Sequence, residues 1–458
     1  MAIPSVKINV INNANILQEQ ATGTALFIGM ADWGNVNTLE TYTGASEINA
    51  LYKSGNLVDA VNFGVIGGLK TIKVYRIAGT DKAKSTITLQ GGSSVDSIKL
   101  DGKYYGTYGN NIQVKVEEVT TGHVKVIISD GLISEVFDNA GIGYATNQDI
   151  VDAINDSKKG STLVDASLIS NDNIVNVITA TSLTGGNNGT TLDANDYLNV
   201  INSNIEEPYD FLLTPDFTTD GTQQTIATIM ESRETNYDLQ SIYFAGIEKD
   251  EDVTTTLNRT STTNRGRLVI VTPGTVVYSG KTYSSNVASA PFAAGLAATK
   301  NLGDSLTRDS FGLDTYYNYS SGIKYYSTSQ VENLESNGFF VVNRIGNYNG
   351  IIHGITKISN PTSSFSELSI RLATDYIKNN LLYILNPFVG KRNTDQKRSQ
   401  IKSMVDNFLD SGVSNQYINS YASEVVDTSA TKVNVNLNIV PVFPINTIEG
   451  TVTLSLSI

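Results

Sequence analysis

Both ends of the chain alternate between apolar and polar positions. Val6, Ile8 and Val10 sit between Ser5, Lys7 and Asn9, while Val452, Leu454, Leu456 and Ile458 sit between Thr451, Thr453, Ser455 and Ser457. A period of two puts each set on its own face of an extended chain, so a strand is predicted at either terminus. Upstream of the second, Val433, Val435, Leu437 and Ile439 alternate with Asn434, Asn436 and Asn438, and Pro441, Pro444 and Gly450 break the run between them. Terminal residues fray unless something holds them. Two patterned terminal strands therefore need a sheet, either in their own subunit or at the exposed edge of a neighbour. The pattern leaves both pairings open.

Inside these arms (1–22 and 441–458) the texture changes three times. Ala25–Gly29 and Leu69–Ile77 read as buried strands around a helical stretch from Ser46 through Phe63, a βαβ-like opening over 23–85. Short strands at Ile87–Leu89, Ile112–Val116, Val124–Ile128 and Ile174–Ile178, with one helix at Gln148–Asn155, mark 86–184 as an inserted β-rich domain. From 185 to 345 the α/β texture returns. Strands are predicted at Phe211–Thr214, Ile242–Gly246, Leu268–Thr272 and Phe339–Asn343, and helices at Asp193–Asn204, Gln223–Asn236 and Ala288–Thr299. In 346–440, Ser364 and Glu367 are spaced as a capping box. Ala373, Ile377, Leu381 and Leu385 then repeat at i, i+4 up to Pro387. A second helix is predicted from Asn393, burying Ile401, Met404, Val405, Phe408 and Leu409 and stopping at Gly412. The fold class is multidomain α/β and α+β, with extended strand-forming arms.

Composition narrows the chemistry. The 458 residues contain no Cys and only two His, His123 and His353, which excludes thiolate chemistry and leaves little for a histidine metal cluster or a Ser-His-Asp triad. Charged residues are 17% of the chain, and 46 Asn supply much of the polarity instead. A net charge of −13 and a pI near 4.7 argue against nucleic acid or an anionic membrane as partner. No apolar run approaches the ~18 to 20 residues of a membrane span. Met1–Ser5 lacks a charged n-region and no h-region follows, so use without secretory processing is expected. Gly280-Lys281-Thr282 invites a phosphate-loop reading. Its upstream Gly274 is one residue too far and β-branched Val276 and Val277 fill the loop, so a β-hairpin is the better account. Phe27–Gly34 lacks the spacing of a dinucleotide turn. Glu206-Glu207 and Asp250-Glu251-Asp252 read as solvated charge runs. No enzyme and no cofactor are expected.

One charge arrangement stands out on this acidic chain. Lys391, Arg392, Lys397, Arg398 and Lys402 crowd the start of the helix that ends near Asp406 and Asp410, the reverse of what the helix dipole favours. An acidic partner would account for the cluster; so would a solvated basic face relieved by Lys402–Asp406 pairing at i, i+4.

Six passages in order resemble contractile phage tail sheath proteins, including those of phage-tail-like bacteriocins. They are Gly23–Gly29 with Trp33-Gly34; Tyr105–Val114, similar to a "PGxxGNxIxV" segment with Tyr105 in place of the proline; and Leu183–Gly189 with Tyr197. Pro291–Ala298 with Asp304–Thr307, Val331–Arg344, and Asn386–Thr394 complete the set. The resemblance implies a homo-oligomer of stacked rings around an inner tube, joined by arm strands exchanged between subunits, that contracts to drive the tube through a cell envelope. It also implies a tube-facing core domain, baseplate and tail-terminator partners, no nucleic acid or membrane insertion, and assembly in the bacterial cytoplasm into a virion tail or tail-like particle. A non-contractile structural polymer such as a surface array is the alternative from another class.

Overall fold

The structure is a computed structural model, and it describes residues 23–190, 192–259, 265–359, 363–429 and 431–446. The patterned strands at Val6, Ile8 and Val10 and at Val452, Leu454, Leu456 and Ile458 lie outside the described residues. The chain divides into two compact units. One comprises Phe27–Asn62 and Ile72–Val200, and the other is the remainder of the chain.

The opening elements are β1 (Thr24–Gly29), β2 (Leu39–Thr43), α1 (Ser46–Tyr52), α2 (Asn56–Gly67) and β3 (Thr71–Arg76). Next come β4 (Lys84–Gln90), β5 (Asp96–Tyr105), β6 (Gln113–Thr120), β7 (His123–Ser129) and β8 (Ser134–Phe137). Helix α3 (Asn147–Ile154) precedes β9 (Val164–Leu168) and β10 (Ile178–Ser182). Two antiparallel sheets result, one ordered β10-β6-β7-β8 and one β4-β5-β9. Alternation builds them. On β7, Val124, Val126 and Ile128 point inward to join Trp33, Ile98, Leu100, Val114 and Ile150 in one core, while the residues between remain partly exposed.

After α4 (Ala194–Ser203), in which the first unit ends at Val200, the other unit continues with β11 (Phe211–Leu213), α5 (Asp220–Tyr237), β12 (Ile242–Gly246), α6 (Val253–Leu257) and β13 (Leu268–Thr272). Strands β14 (Thr275–Tyr278) and β15 (Lys281–Ser284), helix α7 (Ser289–Thr299) and strand β16 (Asp314–Tyr316) follow. Then come α8 (Thr328–Ser336), β17 (Phe340–Ile345) and β18 (Tyr348–Ile351). The last elements are α9 (Leu368–Leu385), α10 (Asp395–Ser414), β19 (Ile418–Ser429) and β20 (Lys432–Pro441). Strands β11, β12, β13 and β17 lie side by side and parallel, and β18 returns antiparallel. Every residue of β12 and β13 is buried, which is why they read as unbroken apolar runs. Gly295 on α7 permits contact with the end of α2: a Cβ there would lie 2.4 Å from the carbonyl oxygen of Gly64.

Several local readings shift. The Gly280 segment is the expected hairpin: β14 pairs with β15 across Ser279 and Gly280, both at positive φ. The capping box does not form. Ser364–Ser366 is a short 3-10 turn, and Glu367 precedes α9 without capping it. Its buried side chain instead accepts from Asn446 Nδ2 at 2.8 Å and lies 2.7 Å from His353 Nε2, partners remote in sequence. Helix α10 continues past Gly412 to Ser414, because that glycine packs beneath Tyr417 and Ile418 rather than ending the helix. Met404, read as inward, is 42% exposed. The strand read at Ile174–Ile178 starts where that reading ends, at Ile178. Strand β19, with three Ser and with Asn, Glu, Asp and Thr among its twelve residues, carries too little alternation to read as a strand by itself.

Candidate assembly surface

In the β-rich unit, three of the motif passages converge on one side chain that no motif contains. Arg76, at the end of β3, is fully buried. Its guanidinium donates to the carbonyls of Ala31 (2.8 Å), Gly34 (2.6 Å) and Tyr105 (3.0 Å), and to Asn188 Oδ1 (3.3 Å). Burial pushes its pKa down to about 10, against the pull of Tyr52 and Asp32. Asn110 and Gly186 exchange two further hydrogen bonds, both 2.8 Å, joining the second passage to the third. The glycines of these passages thus mark close backbone approaches around a cationic clasp. At Gly106 a Cβ would stand 2.0 Å from the Asp32 carbonyl oxygen.

In the other unit, an ionic network ties α9 to β13 and α5. Arg267, 1% exposed, makes a two-pronged contact with Asp375 at 2.6 and 2.8 Å and donates to Glu234 at 2.8 Å. Arg371 also pairs with Glu234. Burial alone would raise the Glu234 carboxyl, but the two guanidiniums outweigh it and hold the group at about 2. A carboxylate depressed from 4.5 stabilises the fold above that value and loses its contribution as the pH falls toward 2. Glu234→Gln is therefore expected to cost about 3 kcal/mol near neutrality. Its melting temperature should converge with that of the parent chain as the pH approaches 2. A constant gap from neutral to strongly acidic pH would show that the charge on Glu234 contributes nothing.

The C-terminal elements present the surface of interest. β19 and β20 form a two-stranded antiparallel ribbon with no third strand among the described residues. Tyr421, Val425, Val435, Leu437 and Ile439 pack it onto a core of Ile377, Leu381, Leu385, Ile401, Val405 and Leu409 from α9 and α10. Lys402 Nζ reaches Ser423 Oγ at 2.9 Å, and Tyr421 Oη donates to Asp410 at 2.7 Å, locking the ribbon to α10. The opposite face carries Ala422, Glu424 and Val426 beside Asn438, Asn436 and Asn434. Each strand keeps one edge without a backbone partner among the described residues.

The predicted basic cluster divides. Arg398 pairs with Asp395, and Lys402 pairs with Asp406 at 2.8 Å. Lys397 reaches only the Gln400 amide at 2.8 Å, and Lys391 and Arg392 are exposed with no ion pair among the described residues. Thr394 caps α10 by accepting from the Lys397 backbone N–H at 3.3 Å. Neither histidine gathers a metal set, and no group of three or more metal-ligating side chains occurs among the described residues. No described helix is long and apolar enough to cross a membrane.

Comparison with known proteins shows what this architecture is similar to. Residues 360–455 match the family model of the phage tail sheath C-terminal domain. Among solved structures, the chain is similar to a sheath tail protein from Desulfitobacterium hafniense, with 14% identity and a TM-score of 0.70 over 95% of this chain and 100% of that one. A sheath tail protein from Listeria innocua matches at 16% identity and a TM-score of 0.62, covering 92% of each chain. The contracted helical sheath of the anti-feeding prophage matches at 10% identity and a TM-score of 0.56, covering 99% of each. No curated protein matches the sequence. The resemblance to contractile tail sheath proteins is borne out: the chain has their mixed α/β and α+β fold, and residues 360–455 match the family model of the sheath C-terminal domain.

Proposed function

We propose that this protein is the structural subunit of a contractile sheath, polymerising around an inner tube and linked to its neighbours by exchanged arm strands. The observation that carries the reading is the two-edged ribbon β19–β20 in a chain whose two termini are both patterned as strands. A two-stranded ribbon is marginal alone, and a strand added to each edge completes it. The faces agree. Val6, Ile8 and Val10, or Val452, Leu454 and Leu456, would extend the apolar side over α9 and α10. Lys7 and Asn9, or Thr453 and Ser455, would extend the side bearing Glu424 and the three Asn. In this reading 346–440 faces the tube, 86–184 forms an outer lobe of the subunit, and new interface buried between subunits drives contraction without any hydrolysis. Baseplate and terminator proteins cap the polymer, which assembles in the bacterial cytoplasm. Electron microscopy of the purified chain tests this. Wide hollow tubes with helical ridges that shorten on triggering are expected, whereas flat two-dimensional arrays would favour the surface-layer alternative.

The basic start of α10 is proposed to meet the tube through its unpaired members. Reversing Lys391, Arg392 and Lys397 to Glu is expected to weaken co-assembly with the tube, most of all at low salt where screening is least. Tube-free sheath polymers should be unaffected. Unchanged co-sedimentation with the tube at low salt would reduce the cluster to solvated surface.

A further inference from the structure

We propose that Asp210 is a proton-operated latch on the root of the N-terminal arm, an inference that rests on reading residues 1–22 as an arm. Its Oδ2 accepts from the backbone N–H groups of both Gly23 (2.8 Å) and Thr24 (2.9 Å), and its own N–H donates to the Thr24 carbonyl at 2.8 Å. Three hydrogen bonds from one residue thus set the direction of the chain where it enters the fold. The position admits no side chain. Gly23 has a φ of +104°, and a Cβ there would meet Ala298 Cβ at 2.8 Å.

The surroundings make the latch responsive. Asp210 lies at a cavity of about 90 Å³ lined also by Gly23, Gln240, Ser369 and Asp375. Both polar atoms of the Gln240 amide and the Ser369 hydroxyl are buried there without a partner among the described residues. The other charged groups at this cavity are engaged elsewhere: Asp375 with Arg267, Lys300 with Asp309 at 2.6 Å, and Asp304 with the Asn301 amide at 3.1 Å. Asp210 is therefore a carboxylate with no cation of its own among the described residues. Burial lifts its pKa to about 6, the two backbone amides opposing the rise and Asp375 adding to it.

The sign of the response follows. Between 3.8 and about 6 the folded chain keeps a proton on this carboxyl that the unfolded chain gives up, so the fold gains stability as the pH falls through that window. The same proton removes the charge assistance from the bonds to Gly23 and Thr24 and gives the carboxyl a donor at a cavity that Gln240 also lines. Acidification thus firms the subunit while loosening the arm root, two effects of opposite sense that a merely structural Asp210 would not produce together.

Hydrogen exchange on the full-length subunit, corrected for intrinsic rates, tests this with protons as the probe. Between about pH 7.5 and pH 5, protection of the Gly23 and Thr24 amides is expected to fall roughly five- to tenfold, as for the loss of charge assistance, while the melting temperature rises. In Asp210→Asn, protection should be low at both values and the rise in melting temperature absent. Identical pH profiles for the two chains would overturn the proposal. So would a carbon-13 titration of Asp210 in the unmodified chain with a midpoint below 5, which applies even if the variant does not fold. Failure of the arm reading shows separately: a chain beginning at Gly23 would then still form tubes.

Discussion

Replacing Arg76 by Met is expected to remove on the order of 4 to 6 kcal/mol from the β-rich unit, because four acceptors around a fully buried side chain lose a charged donor. Those acceptors are the carbonyls of Ala31, Gly34 and Tyr105 and the Asn188 side chain, which belong to three separate stretches of chain. A loss of that size rivals the whole stability of many domains, so rapid proteolysis within residues 27–62 and 72–200 should accompany it. Arg76→Lys should recover only part of the stability, since a point-like ammonium cannot span acceptors arranged around a planar fork. A methionine variant that melts within about 1 kcal/mol of the parent would show that the clasp is incidental to the fold.

Removing Thr451–Ile458 is expected to leave the melting of the isolated subunit near normal and to abolish long tubes. Were the strand paired within its own subunit, the cut would take four alternating apolar side chains from the core, at ~1.5 to 3 kcal/mol for each one buried. Exchanged to a neighbour, the strand costs the monomer little, and every subunit in the polymer loses a link. The deletion of residues 1–10, with Val6, Ile8 and Val10, should behave the same way, because a mesh in two directions needs a strand from each end. Calorimetry of the monomer and microscopy of the polymer separate the cases. Truncated chains that still form contractile tubes would remove arm exchange, and a monomer that unfolds on truncation would place the strand inside its own fold.

The two features behind these predictions were unequally visible. Alternation in Val433–Ile439 predicted β20 correctly, because a strand with one face on a core repeats its exposure every second residue. Its partner β19 escaped, since Ser420, Ala422 and Glu424 sit on its outer face and the strand owes its existence to pairing with β20 and seating on α10. Lys402 shows the same limit from the charge side. Its i, i+4 partner Asp406 was legible along the helix, whereas its bond to Ser423 depends on a strand twenty-one residues away.

What the amino-acid sequence determined by itself is what near neighbours govern: the Ala373–Leu385 stripe of α9, the apolar strands β12 and β13, and the hairpin at Gly280. Tertiary structure alone decided where isolated polar groups go. Arg76 ends a strand whose alternation says only that it faces inward, and Glu367 imitates a helix cap while binding His353 and Asn446. Asp210 looks like any loop carboxylate until Gly23 and Thr24 close over it from 187 and 186 residues away. The physical reason is range. Periodicity reports the exposure of a segment against its own surroundings, but a buried charge is stable only where distant parts of the chain bring it the partners that water would otherwise supply.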